Sequence, residues 1–320
     1  MTSLAISLLG PIQIQLNGAP ITLPYDKVRA LLAYLALESN RPLRRDTLTA
    51  LLWPDQSDKE ARHNLSQALL KLRQMLDPHD ALLQTDRHTV QLIPTVDAQV
   101  AIDVDVVRFE TLLHDCQSHH HVRPELCAFC MDARRAAIAC YHGDFLTGLS
   151  IPDAPAFGEW LVLWRERLHR QAIDAFVVLA DYHERRGEVA AALDYAREEV
   201  RLEPWHEEAH RQIMRLLLYS GQRSAALAQY RRCVQILEDE LDVPPAAETE
   251  ALFQLIQRAD AQPPHNLPTQ ATPFLGRQTE LAELIGFLAD PDCRLLTLVG
   301  PGGIGKTRLA LAVAERQLRR

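Results

Sequence analysis

The chain has 320 residues, 47% of them apolar and 24% charged, with a net charge of −8 and six cysteines. This describes a globular protein of two or three domains, and its acidic balance excludes histone-like coating of nucleic acid. No run approaches the roughly 20 apolar residues of a membrane span, and sparse cysteines without a secretion signal exclude a disulfide scaffold, so a cytoplasmic protein is expected.

Near the start, Ile12, Ile14 and Leu16 alternate with glutamines, and Ile21-Thr22-Leu23 follows Asn17-Gly18. Asn-Gly between such runs signals a hairpin, because both residues tolerate positive φ. The sequence predicts a helix over 27–38, a second over 45–53 and a third over 58–76. Ser57 and Glu60 form a capping box ahead of the third helix. Ala61, Leu65, Ala68, Leu69, Leu72 and Leu76 make its apolar stripe. Arg62, His63, Ser66, Gln67, Lys71 and Gln74 lie opposite, with Arg73 close by. From Lys59 to Leu76 the helix carries a charge of +3 on an acidic chain, whereas residues 1–105 sum to −2. Any contact with a polyanion must therefore come from one polarised face. LLQTDRHTVQLIP predicts a second hairpin with Asp86-Arg87-His88 at its tip. Strands, three helices and a terminal hairpin are the layout of a winged helix, whose third helix enters the major groove.

LLGPIQIQLNGAPITLPYDKVRALLAYLAL, TLTALLWPD and ARHNLSQALLKLRQML together resemble the DNA-binding domain of SARP-type bacterial transcriptional activators. The resemblance covers nearly all of residues 1–97. It implies a DNA-facing set of Arg62, His63, Asn64, Gln67, Lys71 and Arg73, with Arg87 on the wing. The chemistry suits that role, since Arg and Lys neutralise phosphates while Asn, Gln and Arg can read base edges. Asn64 lies near the buried stripe and could instead brace the helix. A solvated charged face on an ordinary core helix is the plainer alternative.

A helix is expected over 103–116, and from Ala128 onward the text is almost wholly helical. ACYHGDFLTGLSIPDAPAFGEWLVLWRERLHR resembles part of the bacterial transcriptional activation domain (BTAD) that follows the winged helix in the same family, a tetratricopeptide-like array. The residues show a repeat independently. At a shift of 34, Ala175 meets Ala209, Leu179 meets Ile213, Gly187 meets Gly221, and Ala191-Ala192-Leu193 meet Ala225-Ala226-Leu227, the period of tetratricopeptide repeats. Such an array implies a packing surface for the winged helix, a second protomer or RNA polymerase. Trp160, Trp164 and Trp205 read as packing residues.

One stretch interrupts the helices: Cys116, His119, His120 and His121, then Cys127-Ala-Phe-Cys130. Cys127 and Cys130 with two of Cys116, His119 and His121 would give a structural zinc site its four ligands. A polar loop with incidental thiols is the alternative. No catalytic residue is apparent.

Residues 259–272 read as a linker. Residues 294–299 then read as a buried strand, and Gly300-Pro-Gly-Gly-Ile-Gly-Lys-Thr307 matches the P-loop pattern at every position. Gly300, Gly302, Gly303 and Gly305 would bring backbone N–H groups to phosphates, Lys306 would reach the β/γ oxygens of ATP, and Thr307 would ligate Mg²⁺. With FLGR before it, this resembles NB-ARC and related STAND-type signalling ATPases, in which nucleotide state sets a switch. The thirteen residues after Thr307 hold neither a second strand nor an acidic metal-binding strand, so a piece of a longer protein is expected, with weak nucleotide binding of its own.

The sequence thus predicts a mainly α multidomain protein: a winged helix-turn-helix at 1–97, an all-α tetratricopeptide-like array at 98–258, a linker at 259–272, and the start of an α/β P-loop domain at 273–320. The expected function is sequence-specific binding of promoter DNA by an activator, as a dimer and under ATP control. The rival reading is a signalling ATPase whose repeats bind proteins and whose N-terminal module no longer reads DNA. A metabolic P-loop enzyme has least support, since nothing resembles a substrate pocket.

Overall fold

The computed structural model describes residues 2–39, 41–76, 82–93, 95–96, 100–118, 127–258, 267–268, 274, 276–289, 293 and 295–317. They fall into two compact units, residues 1–186 and 187–320.

In the first unit the Asn-Gly turn forms as the sequence predicts. Asn17 and Gly18 both have positive φ, 52° and 80°, and join β2 (Gln13–Leu16) to β3 (Ala19–Ile21). β1 (Thr2–Ser7) pairs antiparallel with β2 and parallel with β8 (Val100–Val104), and β7 (Thr95–Val96) closes the sheet in the order β3-β2-β1-β8-β7. The pairing of β8 with β1 explains why the following helix starts later than expected. Asp103 and Val104 stay in the strand, and α4 (Asp105–Ser118) begins at Asp105. The Asp105 carboxylate accepts hydrogen bonds from the N–H groups of Leu8, Leu9 and Val106 at 2.8–2.9 Å. It caps α4 and fixes the end of β1 at once.

α1 (Asp26–Leu37), α2 (Arg45–Leu52) and α3 (Asp58–Leu76) form the three-helix body. Val28, Leu31, Leu32, Leu35, Leu48, Leu52, Leu65 and Leu72 supply its core, all at most 2% exposed. The second hairpin, β5 (Leu83–Thr85) and β6 (Thr89–Leu92), joins the short β4 (Leu43–Arg44) in a sheet of order β4-β6-β5. Asp86 shapes the tip by accepting from the N–H groups of His88 and Thr89, both at 2.6 Å, and from the Thr89 hydroxyl. These donors hold its carboxyl down at about 2.

The same unit includes α5 (Ala128–Ile138), which packs on α4, and the long α6 (Pro155–Arg185). α6 also packs on α2. Tyr34 of α1 lies 5.1 Å from Trp160, and Phe145 stands between Trp160 and Trp164 at 5.6 and 5.8 Å. Lys27 bonds Asp153 at 2.6 Å, and Arg165 clamps the carbonyls of Phe145 and Leu146. Trp160 and Trp164 are packing residues, as expected. Of the surfaces considered for the helical array, this one is covered at α6 by the chain's own N-terminal helices.

The second unit stacks α7 (Val189–Leu202), α8 (Glu207–Tyr219), α9 (Arg223–Leu241) and α10 (Ala247–Arg258). Gly187 and Gly221, 34 residues apart, sit just beyond α6 and α8 with φ of 72° and 74°, the left-handed conformation that ends a helix. The equivalent alanines of the repeat, Ala175 with Ala209 and Ala192 with Ala226, are all buried. Trp205, in contrast, is half exposed.

α11 (Gln278–Ala289) and α12 (Lys306–Gln317) enclose a small cluster of Leu281, Leu309, Ala312 and Val313, with Phe274, Leu284 and Ile285 against it. The buried strand expected at 294–299 is not formed. Residues 295–300 carry no strand, and Leu295 and Val299 are 85% and 87% exposed. The physical reason is the lack, among the described residues, of a neighbouring strand to satisfy this backbone and cover these side chains. Most of the linker at 259–272 lies outside the described residues.

Candidate nucleic-acid interface and nucleotide loop

α3 begins with the predicted capping box. The Ser57 N–H donates to Glu60 Oε2 at 3.3 Å, and the Glu60 N–H to Ser57 Oγ at 3.4 Å. The Ser57 hydroxyl donates to the same carboxylate at 2.6 Å and holds it below the usual carboxylate range. The apolar stripe, Ala61, Leu65, Ala68, Leu69, Leu72 and Leu76, is buried in full. Because that stripe is fixed in the core, the opposite face must point to solvent.

The structure divides the candidate residues by what they touch. His63, Gln67 and Lys71 are exposed on one line along the helix. Arg62 is also exposed, and its guanidinium meets Asp46 of α2 at 3.2 Å. Asn64 is half-buried and donates to Gln56 Oε1, so it braces the turn before the helix. Arg73 is half-buried, donating to the Leu83 carbonyl at 3.2 Å and to Thr85 Oγ1 at 2.9 Å. It ties the last turn of α3 to β5. Arg87 is exposed at the hairpin tip, which Arg45 secures through the Asp86 carbonyl at 3.0 Å.

Three members of the exposed row are additions to the candidate set: Lys59, Leu70 and Gln74. Leu70 is 44% exposed, an apolar side chain amid polar neighbours. Its angular position, off the stripe by one residue from Leu69, was the available signal. From Lys59 to Gln74 this row runs about 22 Å at 1.5 Å per residue.

At the other end of the chain, Gly300, Gly303 and Gly305 have φ of 157°, 77° and 92°. The latter two are in the left-handed range that a side chain resists. α12 starts at Lys306, so the loop leads directly into a helix N-terminus. Lys306 Nζ donates to the carbonyls of Gly300 and Pro301 at 2.7 and 2.8 Å, and Gly302 and Thr307 are exposed. Arg277 donates to the Ile304 carbonyl at 2.9 Å.

The candidate zinc ligands divide as well. Cys116 of α4 and Cys130 of α5 are buried; Cys116 Sγ lies 3.3 Å from the Leu112 carbonyl and 3.4 Å from that of Cys130, and Cys130 Sγ lies 4.0 Å from the Cys116 carbonyl. Cys127 sits at the start of α5. His119 and His121 lie outside the described residues. Among the described residues no three His, Cys, Asp or Glu side chains are arranged to hold a metal ion. No helix among them is long and apolar enough to cross a membrane.

Comparison with known proteins agrees with these elements. Residues 104–257, from the last residue of β8 through α10, match the family described as Bacterial transcriptional activator domain. The regulatory protein AfsR of Streptomyces coelicolor is 26% identical over 98% of this chain and 32% of its own length. The transcriptional regulatory protein EmbR of Mycobacterium tuberculosis is 27% identical over 80% of this chain and 63% of its own. The chain thus spans about a third of AfsR and under two thirds of EmbR. A solved structure of M. tuberculosis EmbR in complex with a low affinity phosphopeptide shares the fold, with a TM-score of 0.56 at 23% identity over 82% of this chain and 67% of that one. Residues 104–257 are thus similar to a bacterial transcriptional activator domain, and the relatives that the chain resembles are regulatory proteins.

Proposed function

We propose that this protein is a sequence-specific, DNA-binding transcriptional activator in which residues 1–97 form a winged helix and α3 enters the major groove. The observation that carries the reading is the exposed row of α3 on a helix whose other face is locked in the core. Lys59, Arg62 and Lys71 meet phosphates, while His63, Gln67 and Leu70 face base edges, Leu70 suiting a thymine methyl group. Arg87 contacts the backbone from the wing. Arg73 and Asn64 act at one remove, by holding the hairpin and the helix start. The similarity to named regulators supports the same conclusion.

The helical repeats serve as the activating surface, toward RNA polymerase or a second copy on DNA, in the cytoplasm. Gly300, Gly302, Gly303, Gly305, Lys306 and Thr307 suit the phosphates of ATP with Mg²⁺. The loop's positive φ angles and the helix start at Lys306 fit that group, whose charge would draw Lys306 from its present carbonyl partners. Nucleotide binding would regulate access of α3 to DNA.

Gel-shift titration of the chain against a duplex selected from random sequence tests the DNA reading. Lys71→Ala should weaken binding to all duplexes and lower the salt slope by about 1, whereas Gln67→Ala should chiefly relax sequence preference. Equal affinity of the unsubstituted protein for selected and random duplex would overturn the proposal in favour of a protein-binding module.

A further inference from the structure

Between the β2–β3 hairpin, the first turn of α1 and the loop before α6, the first unit holds a cavity of about 310 Å³ that neither DNA reading nor nucleotide binding uses. That volume lies at the lower end of the range for small-molecule sites, about 300–1,000 Å³, so its occupant is small. Ile14, Leu23 and Leu149, all buried, line it together with the half-buried Ile12 and Ile21. Gly148 adds a stretch of lining without a side chain. Its φ is 80°, and a Cβ there would meet nothing within 4 Å, so the cavity stays open on that side.

All the charge in this lining comes from one pair on α1. Arg29 Nη1 donates to Asp26 Oδ1 at 2.7 Å, and Arg29 Nη2 donates to the Leu23 carbonyl at 3.1 Å. Asp26 Oδ2 and the other guanidinium N–H groups have no partner among the described residues. The two side chains are 52% and 32% exposed, so both charges can be reached from solvent. This arrangement selects a kind of ligand. Asp26 and Arg29 neutralise each other, so a lone anion at Arg29 would lie beside a carboxylate, and a lone cation at Asp26 beside a guanidinium. A ligand that carries both charges close together adds to the pair instead, with carboxylate on guanidinium and ammonium on carboxylate. Such charge-assisted hydrogen bonds are the strong ones. The isoleucines and leucines in turn favour an apolar ligand body, which leaves water on entering. An α-amino acid with an apolar side chain joins these three groups at one carbon.

We propose that this cavity binds a free α-amino acid with an apolar side chain, its carboxylate on Arg29, its ammonium on Asp26 and its side chain against Ile12 and Ile21. The bound ligand touches the hairpin, α1 and the loop before α6 together, and so ties the three-helix body to the rest of the first unit. This proposal stands apart from the DNA reading and does not depend on it.

The test is isothermal titration calorimetry of the full chain at neutral pH with L-valine, L-leucine and L-phenylalanine. Beside them run N-acetyl-L-leucine, which lacks the ammonium, L-leucinamide, which lacks the carboxylate, and 4-methylpentanamide, which lacks both. The expected result is one saturable site per chain for at least one of the three amino acids, with a melting temperature that rises with its concentration. Where L-leucine binds, each of its three analogues should bind about tenfold or more weakly, through the loss of a bond to a charged group. Asp26→Asn keeps the shape of an exposed side chain and removes its charge. It should weaken L-leucine and strengthen N-acetyl-L-leucine, because Arg29 then has no carboxylate of its own beside it, and a merely structural role of Asp26 would not move the two in opposite directions. Circular dichroism checks the fold of the variant. The proposal is overturned if none of the three amino acids gives saturable binding, or if 4-methylpentanamide binds as tightly as L-leucine, which would mark an apolar cleft only. It is overturned equally if Asp26→Asn leaves the preference for L-leucine over N-acetyl-L-leucine unchanged.

Discussion

α3 and the Gly300–Thr307 loop are both recognisable in the sequence, but they rest on very different supports. The loop has the sharper pattern, while α3 is an ordinary amphipathic helix with a basic face. In the structure the order of support reverses. α3 sits on a core shared with α1, α2 and the β4-β6-β5 sheet, and every residue of its stripe is buried. The loop follows residues 295–299, which form no strand, and is backed by four buried residues of α11 and α12. A motif specifies chemistry through a few residues, whereas a platform specifies geometry through many. Function at either place requires both.

Truncation in the two cores gives the largest expected effect and the most direct way to break this contrast. Leu65 is wholly buried in α3, and Leu65→Ala should cost about 2–5 kcal/mol and abolish duplex binding with the cooperative unfolding of residues 1–186. Leu309→Ala removes the same atoms from the smaller cluster and should lower the main denaturation midpoint far less. If the two variants lose equal stability in denaturant titrations, the contrast between platform and loop is wrong.

A second, smaller effect sharpens where the α3 platform ends. Asp105 satisfies the N–H groups of Leu8, Leu9 and Val106 from the start of α4, so the sheet and α4 share one anchor. Asp105→Ala should destabilise the first unit by about 2–3 kcal/mol, through lost capping and stranded donors. Hydrogen exchange should show the loss at β1 as well as at α4. Protection lost at α4 alone would show that the two are independent.

The second unit adds a pH handle of its own. His210 is fully buried, with Nε2 donating to the Pro204 carbonyl at 2.8 Å and Nδ1 accepting from the Gln229 amide at 2.9 Å. Burial keeps its pKa below the ordinary histidine value. The unfolded chain therefore takes up the proton first, and the stability this group confers is present above about pH 6.5 and lost as pH falls below it. His206 has the opposite sign, because its bond to the buried Glu199 raises its pKa, and its contribution is lost as pH rises. His210→Ala should cost about 1–3 kcal/mol at pH 7.5 and flatten the loss in acid, while His206→Gln should steepen it. Denaturant midpoints for the second unit from pH 8 to 5 would check both slopes.

Local signals account for what was readable in advance. The capping box, the Asn-Gly turn, the stripe of α3 and the hairpin around Asp86 each depend on residues within a few positions of one another, and each is present. The 34-residue repeat was legible because small residues and helix-ending glycines recur in step. What escaped was non-local. Nothing in Val100–Val104 announces a parallel partner at Thr2–Ser7, and that pairing moved the start of α4 to Asp105. Arg73 reads as one more cation on a basic face, yet a hairpin ten residues away engages its guanidinium. The strand expected at 294–299 had the right composition but no neighbour among the described residues, and composition cannot supply one.

The smallest expected effect concerns the charge of α3 itself. Arg62 and Asp46 approach to 3.2 Å, yet their side chains are 64% and 75% exposed, so the pair contributes at most about 1 kcal/mol to stability. Its larger consequence is for binding, because a phosphate must compete with Asp46 for the guanidinium. Asp46→Asn removes the competitor and one negative charge from beside the exposed row, while leaving an acceptor for Arg62. The expected outcome is unchanged thermal stability with a few-fold gain in affinity for selected and random duplex alike, largest at low salt where screening is weakest. Arg62→Ala should lose affinity, and adding Asp46→Asn to it should recover little. A full gain from Asp46→Asn in the Arg62→Ala background would mean that Asp46 acts through general repulsion of DNA and not by occupying Arg62.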